Sequence, residues 1–185
     1  MQRRPRRYDP ERRDRIIRAA QQVIFRDGIE ALTHRAVAAV ADVPLSSTTY
    51  HFADKEELLS AVLALSAERG ESLFPEMFAA HRPEENLPRA LANFLEDLTT
   101  REREQLILDY EIFLGARRRP ALREAALRWT TSSYRMIEPY TDPETARLLT
   151  DLLEGFLAQH VVFGRDLRAK DVEPEFARVL NSARP

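Results

Sequence analysis

Apolar residues recur every three to four positions along most of the chain, and this helical period constrains the fold more than any other feature. Ile16, Ala20, Val23 and Ile24, for example, are spaced as on one face of a helix. Neither the alternation of a half-buried strand nor a hairpin signal occurs between the helical segments. The sequence therefore predicts an all-α protein of roughly nine helices.

Residues that begin or end helices occur at the breaks in this pattern. Four residues of the types preferred at N-caps each precede an apolar segment: Asp9, Thr33, Asn86 and Asp142. Asp54 and Glu57 have the spacing of a capping box before another segment. We expect Pro120 and Pro174 to open two further helices, and Gly28 to end the first one in a left-handed conformation.

Glycine, cysteine and histidine usage disfavours several kinds of site. The chain has five glycines in 185 residues, and none belongs to a phosphate loop, a dinucleotide fingerprint or a nucleophile elbow. Without cysteine there are no disulfides or thiolate zinc ligands, and the four histidines do not have the spacing of metal ligands. We therefore expect no catalytic residue, no metal and no cofactor, which makes an enzyme the less favoured class.

Hydropathy argues against a membrane protein. Apolar residues make up 44% of the chain, enough for a core, but no window approaches the roughly 20 consecutive apolar residues of a membrane span. The basic N-terminus leads into no apolar secretory segment. We expect a cytoplasmic protein without a membrane partner.

Charge is distributed unevenly along the chain. Residues 1–54 have a balance of +3 and residues 55–185 a balance of −5, which together give the net charge of −2. Arg3, Arg4, Arg6 and Arg7 lie within the first seven residues. A basic end on an acidic body suits contact with a polyanion at that end, but a solubilising tail has the same composition. Charge alone does not decide between a polyanion-binding segment and a solubilising tail.

Residues 33–52 predict two short helices joined by a tight turn. The first, 33–41, has an apolar face, and the turn is Asp42-Val43-Pro44. The second, 45–52, has few apolar residues, so its neighbours must hold it in place. Its Ser, Thr, Tyr and His groups are then presented outward, as in a helix-turn-helix whose second helix enters the major groove. A polar surface helix between two core helices has the same pattern.

Residues 10–63 resemble the N-terminal domain of TetR-family transcriptional regulators, and the run that matches the family pattern is IIRAAQQVIFRDGIEALTHRAVAAVADVPLSSTTYHFADKEELL, residues 16–59. It departs from the family pattern at Pro44, at Ser46 and at Thr49, where the usual aromatic residue comes one position later, as Tyr50. The resemblance implies a basic arm and helix-turn-helix DNA-binding domain over residues 1–54, and a helical ligand-binding and dimerisation bundle over 55–185. It also implies a ligand-responsive repressor that binds an inverted-repeat operator in double-stranded DNA as a homodimer.

The resemblance and side-chain chemistry together assign candidate DNA contacts. The candidates are Arg3, Arg4, Arg6, Arg7, Thr33, Arg35, Leu45, Ser46, Ser47, Thr48, Tyr50, His51 and Lys55. We expect Thr33 and Lys55 to contact phosphates, and Tyr50 and His51 to reach the backbone or a groove edge. Ser46, Ser47 and Thr48 are expected to face bases. Because residues 45–52 contain no Arg, Asn or Gln, Arg35 is the candidate reader of guanine.

The resemblance assigns ligand binding and dimerisation to the remaining helices. The predicted helix over residues 143–164 is apolar on two sides, so it needs two partners. Candidate dimer contacts are Leu148, Leu152, Gly155, Val162, Phe176, Val179 and Leu180. Candidate contacts to a small apolar or amphipathic effector are Phe94, Tyr110, Phe113, Trp129, Ser133 and His160. Burial of that helix within the monomer, and of each aromatic residue in an ordinary core, remains the alternative. An all-helical interaction module, or a small-molecule-binding protein without a regulatory role, is the alternative function.

Overall fold

A computed structural model describes residues 11–120 and 123–182. The α-helices in these residues are α1 Arg12–Asp27, α2 His34–Ala41, α3 Leu45–His51, α4 Lys55–Ala79, α5 Leu87–Arg101, α6 Arg103–Gly115, α7 Arg123–Ile137, α8 Pro143–Phe163 and α9 Ala169–Ser182. Short 3-10 turns occur at Ile29–Ala31 and Glu138–Tyr140. No strand occurs in the described part of the chain, and the all-α prediction is confirmed. The predicted cap Asp9 and the four arm arginines lie outside the described residues.

Side-chain caps begin several helices where the sequence predicts them. Thr33, Asn86 and Asp142 each accept backbone N–H groups from the first turn of α2, α5 and α8. At the start of α4, the Glu57 N–H donates to the Asp54 carboxylate at 2.8 Å. The Glu57 carboxylate accepts the N–H of the residue before Asp54 at 2.6 Å. These bonds satisfy N–H groups that a helix leaves without an internal partner.

Two predictions about helix ends are wrong in detail. The last helix begins at Ala169, and Pro174 lies inside it. An earlier start buries Val172, and the Ala169 N–H donates to the Glu96 carboxylate at 2.9 Å. Gly28 does end α1 with a positive φ of 81°, but its ψ of 166° lies outside the left-handed helical region.

The described residues form two compact units that divide within α4, at Val62 and Leu63, later than the predicted boundary at residue 54. In the first unit, α2 packs against both α1 and α3. The buried apolar residues of the first unit include Ile16, Ala20, Val23, Leu32, Val37, Phe52, Leu58, Leu59 and Val62. The period of apolar residues in α1 thus corresponds to a buried face.

The second unit is a bundle in which α8 contacts α5, α6, α7 and α9. Aromatic rings packed edge to face fill part of its core: the ring centroid of Phe94 lies 6.0 Å from that of Phe74 and 5.8 Å from that of Phe78. Leu149, Leu153 and Phe156 on α8 and Phe176 on α9 are buried in the same core. None of the helices in residues 11–120 and 123–182 is both long and apolar enough to cross a membrane.

Candidate DNA-binding and ligand-binding sites

A tight turn sets α3 against α2. Asp42 ends α2 in the left-handed region, with φ 51° and ψ 53°, and the Val43 N–H donates to the Ala38 carbonyl at 3.1 Å. Pro44, with φ −58°, then leads into α3, and its carbonyl accepts the Ser47 N–H at 2.8 Å. Helix, turn and helix have the order and lengths of a helix-turn-helix.

Thr48 fastens α3 to α2. Its side chain is 0% exposed, and its hydroxyl donates to the Leu45 carbonyl at 2.8 Å, with the His34 carbonyl of α2 at 3.5 Å. Phe52, one turn later, is also buried. A seven-residue helix is unstable alone, so this buried face holds it in place.

The opposite face of α3 is open. Tyr50 is 84% exposed and Leu45 is 45% exposed, and Ser46 and Thr49 are exposed as well. Arg35, in the first turn of α2, is also exposed. Hydroxyl groups, one aromatic ring and one guanidinium are therefore available to a partner of this helix pair.

Lys55, at the start of α4, is tethered to Glu30. Its Nζ donates to the Glu30 carbonyl at 3.3 Å and lies 3.5 Å from the Glu30 carboxylate. Because the Glu30 side chain is 77% exposed, this ion pair adds at most about 1 kcal/mol of stability. A phosphate can therefore replace Glu30 as the partner of Lys55 at little cost.

A cleft opens between α4, α6 and α7 in the second unit. It is lined by Leu63, Ser66, Ala67, Gly70, Glu71, Phe74, Asp109, Phe113, Ala126, Arg128, Trp129 and Ser132. The rings of Phe113 and Trp129 meet edge to face with centroids 5.6 Å apart. Tyr110, behind them, meets Trp129 at 5.0 Å. Aromatic walls with a few polar groups are typical of small-molecule sites.

Two carboxylates line this cleft in different surroundings. Asp109 accepts a hydrogen bond from the Gln105 amide at 2.8 Å, and burial raises the pKa of Asp109 to about 6. Glu71 is exposed, and its carboxylate lies 3.9 Å from the Arg128 guanidinium. Asp109 is therefore the carboxylate of the cleft whose ionisation is disfavoured by burial.

The outer face of α8 exposes an apolar stripe. Leu148, Gly155 and Val162 are spaced by seven residues, and the leucine and valine are 48% and 59% exposed. A Cβ at Gly155 would meet no atom within 4 Å. Phe163, at the end of the helix, is 79% exposed. Of the two apolar sides predicted for this helix, one faces the core of the second unit and the other is not covered by the protomer.

The family of this chain is shown by two matches. Residues 16–62 match the family model for bacterial regulatory proteins of the tetR family. Residues 82–182, more than half of the chain, match the tetracyclin repressor-like C-terminal domain. The chain belongs to the TetR family. This TetR-family protein is a DNA-binding transcriptional regulator, which confirms the resemblance in the sequence and disfavours the interaction-module alternative.

Solved structures support the same family over nearly the whole chain. The multidrug binding protein EbrR complexed with imidazole has 40% sequence identity, covers 92% of this chain and 96% of its own, and superposes with a TM-score of 0.79. EbrR complexed with ethidium has 40% identity, coverages of 93% and 99%, and a TM-score of 0.79. A TetR-family member from Streptomyces coelicolor A3 has 38% identity, coverages of 92% and 98%, and a TM-score of 0.79. A comparison with curated proteins found no significant match.

Among the candidate DNA contacts of this TetR-family protein, the predicted role of Thr48 needs correction. The prediction that it faces bases is wrong, because its side chain is buried between α3 and α2. The open face instead includes Thr49, which the sequence prediction omitted. Spacing could have shown this, because Thr48 lies one turn before the apolar Phe52, whereas Thr49 shares a face with Ser46. Ser47 and His51 are half-buried.

We expect Thr48→Val to destabilise the protein by about 1 kcal/mol, because valine keeps the shape of threonine but removes the hydroxyl that donates to the Leu45 carbonyl. Thr49→Val is the matched control, because its exposed hydroxyl makes only long contacts of 3.4 Å. Denaturant unfolding monitored by circular dichroism measures both. Equal stability of the two variants would contradict a stabilising role of the buried Thr48 hydroxyl.

Four of the six candidate ligand contacts lie in the cleft or directly behind it. Phe113 and Trp129 line the cleft. Tyr110 and Ser133 lie behind it, and both of their hydroxyls donate to the Glu154 carboxylate, at 3.1 and 2.8 Å. Burial raises the pKa of Glu154, and these two hydrogen bonds oppose that shift.

The predictions that Phe94 and His160 contact the ligand are wrong. Phe94 is buried in the core among other aromatic rings, and His160, near the end of α8, has its Nδ1 2.7 Å from the Arg165 carbonyl. Neither lines the cleft. The sequence prediction missed Asp109, although this acidic residue lies on the apolar stripe of α6 between Leu106 and Phe113.

The prediction that Phe176 contacts the dimer partner is also wrong. It is 0% exposed in the core of its own chain, so it cannot contact a partner. Leu152, Val179 and Leu180 are partly buried against that core. Leu148, Gly155 and Val162 are the exposed candidates that remain.

Proposed function

We propose that this TetR-family regulator is a repressor that binds an inverted-repeat operator as a homodimer and releases it when an aromatic ligand binds in the second unit. The observation that carries the proposal is the occurrence, in one chain, of an exposed α3 face and an aromatic cleft. The first supplies contacts to a groove of DNA, and the second supplies the aromatic walls and few polar groups that are typical of a small-molecule site.

The outer face of α8 supports the homodimer. Its stripe of Leu148, Gly155 and Val162 is apolar and uncovered in the protomer, and Gly155 permits close approach of a second helix. The same stripe on a second copy supplies a matching surface in a two-fold arrangement. Such a dimer presents two copies of α3, which favours an inverted repeat with half-sites about one helical turn apart.

The chemistry of the cleft supports an aromatic ligand. EbrR structures are described as complexes with ethidium, proflavin and malachite green, at 38–40% identity to this chain. Each of these dyes contains aromatic rings, which suit a wall formed by Phe74, Phe113 and Trp129. A ligand lowers operator affinity only if it binds more tightly to the conformation that does not bind DNA.

Gel-shift experiments test the proposal in two steps. Operator sequences are first selected from random DNA with the full-length protein, and we expect the selected sites to be inverted repeats. Malachite green is then added to the protein–operator complex, and we expect the DNA to be released. An unrelated repressor with its own operator is the control, because the dye can also bind DNA directly. Failure to select any common sequence would contradict the regulatory role, and dye-insensitive binding would contradict the ligand response.

A further inference from the structure

We propose that Asp109 makes the cleft between α4, α6 and α7 selective for cationic over neutral aromatic ligands. This inference rests on the proposed function, because it names the ligand class of the proposed site. It assigns to one residue a role in specificity that shape and hydrophobicity alone do not provide.

Asp109 lies where the charge of a bound aromatic cation would need a partner. It lines the cleft from α6, together with Phe113 of the same helix, Phe74 of α4 and Trp129 of α7. The faces of aromatic rings attract a cation, more strongly where water is excluded. A carboxylate among such rings adds an opposite charge and accepts N–H groups from the ligand.

Hydrogen bonds from the neutral side chains of Gln105 and Ser66 position the carboxylate and lower the pKa of Asp109, in opposition to burial. The Gln105 amide donates to Asp109 at 2.8 Å and to the Ser66 hydroxyl at 2.9 Å, which connects α6 to α4. One Asp109 oxygen is thereby oriented by Gln105. A ligand that brings a positive charge into the cleft can complete the environment of this carboxylate.

The other charged groups around Asp109 form pairs of their own. Arg69 on α4 pairs with Glu102, which precedes α6, and Glu71 on α4 lies 3.9 Å from Arg128 on α7. Arg69 lowers the pKa of Asp109 and Glu102 raises it, so their effects oppose each other. Neither pair supplies a cation devoted to Asp109.

The cost of an ionised Asp109 makes the binding of a cation depend on pH. Burial raises the pKa of Asp109 to about 6, so the group is largely protonated at pH 5 and largely ionised at pH 8. A permanent cation binds better to the ionised form and therefore displaces the proton. If the protonated form binds negligibly, the apparent affinity at pH 5 is about tenfold lower than at pH 8. A neutral ring has no such preference.

Trp129 provides the measurement, because it is the single tryptophan of the chain and lines the cleft. The probes are ethidium, a permanent cation, and phenanthridinone, an uncharged compound with a related ring system. Quenching of Trp129 fluorescence is measured with the full-length protein, without DNA, at pH 5 and pH 8. The variants are Asp109→Asn, Asp109→Glu and, as a matched control, Glu111→Gln at an exposed carboxylate of α6 that does not line the cleft.

We expect the wild-type protein to bind ethidium about tenfold more weakly at pH 5 than at pH 8. Asp109→Asn is expected to weaken ethidium binding at pH 8 by at least about tenfold and to remove the pH dependence, with phenanthridinone unaffected. Asp109→Glu should retain a preference for ethidium, and Glu111→Gln should resemble the wild type. The asparagine variant avoids the cost of an ionised buried group, so we expect it to fold.

Two outcomes would overturn the inference, and they differ in what they imply for the proposed function. Equal ethidium affinity in Asp109→Asn and the wild type would remove the role of Asp109 but leave the cleft as a ligand site. Absence of Trp129 quenching by either probe would remove both the inference and the proposed ligand site. Operator selection by the same protein preparation would show that DNA binding is intact in either case.

Discussion

Gly155→Arg is expected to make the protein monomeric and to abolish detectable operator binding. Gly155 is exposed at the centre of the α8 stripe, between Leu148 and Val162. A side chain at this position meets no atom of its own chain within 4 Å of the Cβ, so the protomer should fold normally. In the proposed dimer, however, two arginines would be placed in an apolar contact, where unpaired charges are strongly unfavourable.

The loss of DNA binding follows from the loss of the second half-site. Linking two binding modules raises the overall affinity by about 100-fold to 10,000-fold over that of one module, so a monomer should show little binding to one operator. Analytical ultracentrifugation measures the oligomeric state, and a gel shift measures operator binding. Gly155→Ala is the matched control and should remain dimeric, because a methyl group adds little volume and no charge. A dimeric Gly155→Arg protein would contradict the proposed interface.

Arg35→Ala is expected to lower operator affinity by at least about thirtyfold and to relax the preference at one base pair of each half-site. A bidentate arginine–guanine contact provides about 1–3 kcal/mol of discrimination, and a dimer makes it twice, for a total of about 2–6 kcal/mol. Arg35 suits this contact because it is exposed in the first turn of α2, whereas α3 contains no Arg, Asn or Gln. Quantitative binding to a library of single-base operator variants measures both effects.

Two variants separate base reading from general electrostatics. Arg26→Ala removes another exposed arginine of the first unit, but its guanidinium is already paired with Asp27 at 2.6 Å, so we expect little change. Lys55→Ala should weaken binding to all sequences about equally, because phosphate contacts contain no base information. If Arg35→Ala lowered affinity equally for every operator variant, Arg35 would be a phosphate contact instead.

Local features of the sequence predicted the helices and the first unit well. The caps at Thr33, Asn86 and Asp142 act within one helical turn, so short-range chemistry is enough to locate them. The turn at Asp42 and Pro44 is local in the same sense. The family resemblance over residues 10–63 added the DNA-binding role, which the family match over residues 16–62 confirms.

Burial on a short or two-sided helix was harder to predict. Thr48 is polar, yet it faces α2, because a seven-residue helix must use some of its few side chains to pack. Phe94 and Phe176 were assigned to a pocket and an interface, but both fill the core of the second unit. An apolar residue on a helix indicates that its face is covered, but the sequence does not show what covers it.

The sequence by itself determined the all-α class, the side-chain-capped helix starts and the helix-turn-helix, since each depends on residues within a few positions of one another. The tertiary structure decided that Asp109 lines an aromatic cleft, that Tyr110 and Ser133 bond to Glu154 behind it, and that one side of α8 is uncovered. These features depend on contacts between helices separated by many residues. Their geometry follows from how side chains pack in the whole bundle, which the spacing within one helix does not specify.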